Sequence, residues 1–296
     1  MKISAAILCV LLSASAFARD TIVFGIISYD TPLSSISNQT LLVRYIEQKA
    51  DIAVRVITLK NDEETVNAFK NGIVDIAWIG TYQYMKYRTQ LFAYPLVKPV
   101  HFGRSYYRSL FVTHRDSGIQ TLSDLSGKTV AFVSSQSEAG YIYPVVMLAQ
   151  NRMYEGEQYY ARFLKGHDNV LYEVYSRKYE AGCVFDSAID VFLNSTQRSE
   201  IRILATSRDI PYEPVILSKR INDDLADRLR QVLIECDDES LLDSLDIQRF
   251  TEASLDEYTV YPSRSFFLID EEKTDARSER YPRVPLSMHT RPHPGR

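Results

Sequence analysis

GIVDIAWIG, residues 72–80, is the stretch on which the fold turns. Residues 73–79 are apolar except for Asp75, which reads as a strand buried on both faces. Asn71-Gly72 just before it is a helix stop. The helix it closes opens at Asp62 and carries Val66 and Phe69 on one face. Further back, residues 52–59 alternate, with Val54, Val56 and Thr58 on one side, as a strand does. Residues 41–49 space Leu42, Tyr45 and Ile46 as a helix does. Residues 21–27 (TIVFGII) are a β-rich run followed by a polar break at 28–32. The order strand, helix, strand, helix, strand predicts a parallel α/β sheet.

Reading forward from Gly80, a second unit follows. Strands are expected at 107–113, 129–133, 182–185 and 201–205, a short helical turn at 122–125, and helices at 138–151 and 188–194. PYEPVILS, residues 211–218, breaks this pattern and restarts a β run, and 221–233 is an amphipathic helix. From residue 271 the chain is charged, holds four prolines and has no periodicity, which reads as a disordered tail. Two α/β units with the chain passing over and back suggest two lobes around a cleft. Ligands of open α/β sheets bind beyond the carboxyl ends of the strands. Those ends bring Ser28, Tyr29, Gly80, Thr81, Tyr82, residues 134–139 and Asp186 into view.

Composition narrows the function classes. The chain has 296 residues, 45% hydrophobic and 24% charged, ordinary values for a globular protein. A formal net charge of −4 argues against a mainly electrostatic nucleic-acid binder. Three cysteines are too few for a disulfide scaffold. Tyrosine is in excess at 20 residues, and its rigid amphipathic ring suits ligand contacts as well as core edges. Residues 1–18 have a positive start at Lys2, an apolar stretch and a small-x-small end, Ala16-Phe17-Ala18. These are the parts of a secretory signal peptide, which makes Arg19 the expected mature N-terminus and the periplasm the expected compartment. Cys9 lacks the small residue before it that a lipidated cysteine has. No later run approaches the length of a membrane span. Cys183 and Cys236 remain after export, as a pair or as two separate buried thiols.

The quoted stretch resembles the GxVDxAWxG segment of the phosphonate/phosphite-binding proteins of ABC importers. Three further stretches agree in order: Asp116-Ser117-Gly118-Ile119 running through Gly127-Lys128-Thr129-Val130, then Gly166-His167-Asp168, then residues 201–205 through Pro214-Val215. The resemblance covers residues 20–250 or so. It implies the two-lobed periplasmic binding protein fold of type II, with two parallel-type sheets flanked by helices and two crossing segments, near 107–113 and 211–215. The expected division is signal peptide 1–18, lobe one at 19–108 plus 212–270, lobe two at 109–211 and tail 271–296.

The family's anion cradle is a Ser-Thr-Ser-Gly-Tyr-like stretch at a helix start, where backbone N–H groups and hydroxyls meet the ligand's oxygens. The matching residues are Ser137-Glu138-Ala139-Gly140-Tyr141. Glu138 stands where the family has a hydroxyl, and Ala139 removes another. A like charge about 4–5 Å from a bound anion, at an effective dielectric near 20, costs roughly 3–4 kcal/mol. Either Glu138 points away and steadies its helix start, or the ligand departs from a simple phosphonate dianion. Tyr29, Thr81 and Tyr82 are expected from lobe one. From lobe two come His167, which matches a ligand-contacting family position, and Asp186, which either accepts from His167 or a ligand or caps the next helix. Of Tyr106 and Tyr107 at the crossing, one is expected to face inward, and Tyr107 is taken. Trp78 is expected in the core.

The resemblance thus implies an exported solute-binding protein, acting as a monomer with no cofactor or metal, that closes on a small polar, oxyanionic ligand and delivers it to an inner-membrane ABC permease. A different class with the same fold presents its ligand to a membrane receptor kinase. The chain has no Gly-x-Ser-x-Gly, His-Glu-x-x-His or phosphate-loop motif. A Cys183–His167 thiol–imidazole pair is the one enzymatic arrangement to weigh, against Cys183 simply packing in its strand. Five histidines, two of them in or near the tail, make no metal cluster.

Overall fold

The polypeptide, in a computed structural model that describes residues 21–28 and 33–258, alternates strands and helices along its length. The expected signal peptide, Tyr29 and the tail from 271 lie outside the described residues. The first elements are β1 (Thr21–Ile27), α1 (Leu33–Lys49), β2 (Ala53–Leu59), α2 (Asp62–Lys70), β3 (Ile76–Trp78), α3 (Thr81–Tyr87) and β4 (Ala93–Val100). Then come β5 (Tyr106–Tyr107), β6 (Ser109–His114), β7 (Lys128–Phe132), α4 (Tyr143–Gln150), β8 (Tyr159–Phe163), α5 (His167–Tyr175) and β9 (Ala181–Phe185). The remainder is α6 (Ala188–Phe192), α7 (Ser195–Ser199), β10 (Ile201–Thr206), β11 (Ile210–Pro211), β12 (Val215–Ser218), α8 (Asp223–Ile234), α9 (Glu239–Ser244) and β13 (Arg249–Glu252).

By its contacts the chain falls into two compact units. Among the described residues, unit 1 holds those up to Ile79, Tyr87–Phe102 and Glu213–Ser254. Unit 2 holds Gly80–Lys86, Gly103–Tyr212 and the residues from Leu255.

Unit 1 is built on a six-stranded sheet in the order β13-β4-β12-β3-β1-β2. β1 runs parallel to β2 and β3, whereas β12 and β13 enter antiparallel. The quoted stretch works as its spacing suggests. Asn61 accepts the Glu64 N–H at 2.8 Å and starts α2. Gly72, at φ +69°, turns the chain after it. Asp75, the polar residue in the run, exchanges two bonds with β1: its N–H donates to Val23 O and its carboxylate accepts the Val23 N–H, both at 2.9 Å. The ladder itself is shorter than the apolar run, because only Ile76–Trp78 pair as β3. Trp78 is half-buried rather than fully core, and its indole N–H donates to Glu213 O at 2.9 Å. The core gathers Ile22, Phe24 and Ile26 of β1, Leu42 and Ile46 of α1, and Leu225, Leu229 and Leu233 of α8.

Unit 2 is built on a five-stranded sheet in the order β10-β6-β9-β7-β8. β7 is parallel to β8 and β9, and β6 is antiparallel to β9 and β10. Each sheet is therefore mixed, parallel on one flank and antiparallel on the other. A strand that returns after a crossing has no βαβ connection to fix it parallel. Alternate residues feed opposite faces: Phe111, Val130, Phe132 and Cys183 one, Leu110, Val112, Ala131, Val133 and Val184 the other. The two crossing segments pair with each other, Tyr107 opposite Ile210 and Tyr106 opposite Pro211. The run expected at 107–113 is thereby split into β5 and β6, and 211–218 into β11 and β12. Cys183 and Cys236 are both free and buried.

Candidate functional site

The site grows from the carboxyl end of β7. The chain leaves Phe132, turns through Ser134–Ser137 and re-enters as a helix, but not as the continuous α-helix expected over 138–151. Its first turn, Glu138–Ile142, is widened. The Ile142 N–H reaches back five residues to Ser137 O at 3.0 Å, a π-type turn of the kind frequent at functional sites. Ser137 is the cap, its hydroxyl oxygen accepting the Gly140 N–H at 3.1 Å. Gly140 lies against β7, where an added Cβ would fall 2.6 Å from Val133 Cβ. Only glycine lets the turn close on the strand at this distance. The Ala139 methyl is buried in the core of unit 2, and its carbonyl accepts the Ser109 hydroxyl at 2.6 Å.

Glu138 lies in the first turn of this helix, and its carboxylate reaches two other segments of unit 2. Its Oε1 accepts the backbone N–H of Tyr82 at 2.6 Å, in the first turn of α3. Its Oε2 accepts the phenolic O–H of Tyr107 at 2.5 Å. Both oxygens of a half-buried carboxylate are thus held by short, charge-assisted bonds. Of the two tyrosines expected at the crossing Tyr107 is the buried one, and its ring lies 4.9 Å from that of Tyr212. Thr81 and Tyr82, expected from lobe one, stand in unit 2 with Glu138. The Thr81 hydroxyl donates to Pro211 O at 2.9 Å, so it serves the backbone of the crossing segment. Lys86 lies over the Tyr82 ring, its Nζ 5.7 Å from the centroid.

His167 opens α5, and its Nδ1 accepts the Phe185 N–H at 3.4 Å. That assignment leaves the proton of the neutral ring on Nε2. Burial pushes its pKa down to about 4, against a smaller opposing pull from Asp168. Arg104 holds the Asp186 carboxylate at 2.8 Å, and the Ser187 N–H, just ahead of α6, donates to it at 3.0 Å. The structure thus brings Tyr82, Tyr107, Ser137, Glu138 and Ala139 together, with Thr81 at the back. Cys183 is fully buried with its thiol pKa pushed up, the state of an unreactive packing residue.

Sequence reading passed over the arginines beside Tyr106. Arg104 and Arg108 lie 5.5 and 5.6 Å from the Tyr106 ring centroid, and Arg108 also pairs with Asp209 at 2.6 Å. The signal was there: in RSYYR, residues 104–108, period-two alternation puts Arg104, Tyr106 and Arg108 on one side and Tyr107 on the other. Among the described residues one cluster has metal-ligand chemistry, His114, Asp116 and Glu200, whose ligating atoms lie within 4.8 Å of one another. Two of its three members have other partners: His114 Nδ1 accepts the Asp116 N–H at 3.1 Å, and Arg177 holds the Asp116 carboxylate at 2.7 Å.

The family model described as ABC transporter, phosphonate, periplasmic substrate-binding protein matches residues 24–258. The chain belongs to that family. Solved structures agree on the fold. A Xanthomonas citri protein bound to ATP is 19% identical, with a TM-score of 0.65 over 88% of this chain and 100% of its own. PhnD1 from Prochlorococcus marinus, in complex with methylphosphonate, is 17% identical, with a TM-score of 0.58 over 86% of this chain and 98% of its own. A binding protein component of an ABC phosphonate transporter from Pseudomonas aeruginosa is 16% identical, with a TM-score of 0.57 over 88% and 98%. As a member of the phosphonate substrate-binding family, the chain is a periplasmic binding protein of the ABC-transporter kind, a family of solute binders rather than enzymes.

Proposed function

We propose that this protein captures a small oxyanion of the phosphonate or phosphite kind and delivers it, as a monomer, to an inner-membrane ABC permease. The observation that carries the ligand class is the grip on Glu138. An N–H and a phenolic O–H take the two oxygens of one carboxylate, so the site is complementary to a pair of anionic oxygens. The carboxylate that occupies it is the chain's own. An incoming oxyanion competes with Glu138 for the Tyr82 N–H and the Tyr107 hydroxyl and meets its negative charge. Nothing in this scheme makes or breaks a covalent bond. The signal peptide is removed after Ala18 on export, so the purified periplasmic protein begins at Arg19.

A thermal-shift panel tests the reading, with methylphosphonate, phosphite, phosphate, sulfate and aminoethylphosphonate against wild type and Glu138→Gln. Ligand at 100 times its dissociation constant stabilises a protein by about 2.7 kcal/mol. A phosphonate or phosphite is expected to raise the wild-type melting temperature, and Glu138→Gln to bind it tenfold or more tightly, since the like charge is gone. A panel in which no phosphonate or phosphite stabilises either protein rejects the ligand class. Delivery is checked by capture of the permease from membranes with loaded protein; recovery of a receptor kinase instead would overturn the import role.

A further inference from the structure

We infer that Arg104 sets the charge of the ligand: by neutralising Asp186 it makes unit 2's site one for oxyanions that carry no ammonium group. This rests on the oxyanion reading above. The Arg104 guanidinium meets the Asp186 carboxylate at 2.8 Å, with the two side chains 34% and 14% exposed. A charge-assisted bond of this length, drawn partly out of water, is stronger than a fully solvated surface pair. The other arginine of the RSYYR stretch is engaged elsewhere, since Arg108 Nε donates to Asp209 at 2.6 Å. Tyr106 supports the arrangement, with the Arg104 guanidinium 5.5 Å from its ring centroid. A bare carboxylate at a ligand site attracts a ligand's cationic group. With a guanidinium against it that attraction is cancelled, and an ammonium brought alongside meets a like charge, which is how a site rejects a near relative of its ligand.

Backbone bonds place this pair beside the Ser137–Tyr141 turn, and every residue involved belongs to unit 2. Asp186 directly follows β9, at the carboxyl end, beyond which ligands of α/β sheets bind. β9 runs parallel to β7, with Ala181 opposite Val130 and Gly182 opposite Ala131. The two strands therefore deliver Asp186 and the residues leading to Ser137 at the same edge. On its other side β9 pairs with β6, Ser109 opposite Phe185. The Asp186 N–H donates to Arg108 O at 2.8 Å, and the hydroxyl of the next residue, Ser109, donates to Ala139 O at 2.6 Å. Two hydrogen bonds and one peptide link thus join Asp186 to the turn. His167, whose Nδ1 accepts the Phe185 N–H, adds no charge at neutral pH, because burial takes its pKa down to about 4. At the end of β9 the charge a ligand meets is therefore decided by Asp186 and Arg104.

The test is titration calorimetry with methylphosphonate and aminoethylphosphonate on wild type, Arg104→Lys, Arg104→Met and the double variant Arg104→Met/Asp186→Asn. Wild type is expected to bind methylphosphonate the more tightly. Arg104→Met, which bares the carboxylate, is expected to move the ratio of the two affinities about tenfold toward aminoethylphosphonate. The double variant has no carboxylate to bare and is expected to lose that gain. Arg104→Lys keeps the charge and is expected to keep the wild-type ratio within about threefold. Glu138 is present throughout, so the ratios isolate the Arg104–Asp186 pair. A shift below about threefold in Arg104→Met, or a gain that persists in the double variant, overturns the inference and leaves the oxyanion reading standing. A wild type that binds neither ligand removes the oxyanion reading and this inference with it. Should Arg104→Met not fold, Asp186→Asn alone decides. It bares the guanidinium, so its ratio is expected to move about threefold or more toward methylphosphonate, and an unchanged ratio overturns the inference.

Discussion

One side chain sets the character of unit 2's site. Glu138 places a carboxylate where its bonding pattern fits an oxyanion, and Tyr107 provides one of the two bonds. Removing a hydroxyl from a half-buried carboxylate costs about 1–2 kcal/mol. Tyr107→Phe is therefore expected to lower stability to urea by that amount, with circular dichroism unchanged. His167 carries a second prediction. Its folded pKa of about 4 lies below the ordinary 6.5 because burial disfavours the charged ring. The unfolded chain takes up the proton first, so this contribution to stability is complete above pH 6.5 and falls away as the pH drops toward 4. The full difference is about 3 kcal/mol. Wild type should lose that much more stability than His167→Asn between pH 6.5 and 4 in parallel urea titrations; equal losses would show that the ring is not buried neutral.

At the scale of elements, two glycines decide how helices meet strands. Gly140 lets the π-type turn lie on β7, and Gly182 lets α5 lie on β9, where an added Cβ would stand 2.5 Å from Val170 Cγ1 and 3.0 Å from Val174 Cγ2. Gly140→Ala and Gly182→Ala are each expected to destabilise by about 1–3 kcal/mol, as overpacking does. They differ in function. Gly140→Ala displaces the turn that carries Ser137 and Glu138 and should alter anion binding, while Gly182→Ala should leave affinity unchanged in calorimetry. The helix at 62–71 was legible because its cap, apolar face and Asn-Gly stop coincide. β4 and β8 were not, because AYPLVKPV carries two prolines and YYARF is only five residues long with Arg162 inside it. Pairing with neighbours fixed both as strands, and pairing leaves little trace in a single strand's composition.

Across the whole molecule, the chain contributes to each unit in more than one piece. Gly80–Lys86 belongs with unit 2 although Tyr87–Phe102 returns to unit 1, so Tyr82 joins Glu138 across a separation of 56 residues. The cysteines are likewise divided, Cys236 in the core of unit 1 and Cys183 in that of unit 2. Both are expected to resist Ellman's reagent in the native protein and to react in denaturant. Melting temperatures with and without reductant should coincide; a drop under reductant would reveal a disulfide.

The alternation of strands and helices, the family and the position of the Ser137–Tyr141 turn were legible in the residues alone. These rest on local periodicity, caps and glycines, which act over a few residues. The sequence also named Tyr82, Tyr107 and Glu138 as site residues, one at a time. Folding was needed to show that they bond to one another, that Arg104 pairs with Asp186, and that Lys98 is buried. A side chain's partner and its loss of water depend on residues far along the chain, brought near by packing that no local pattern encodes.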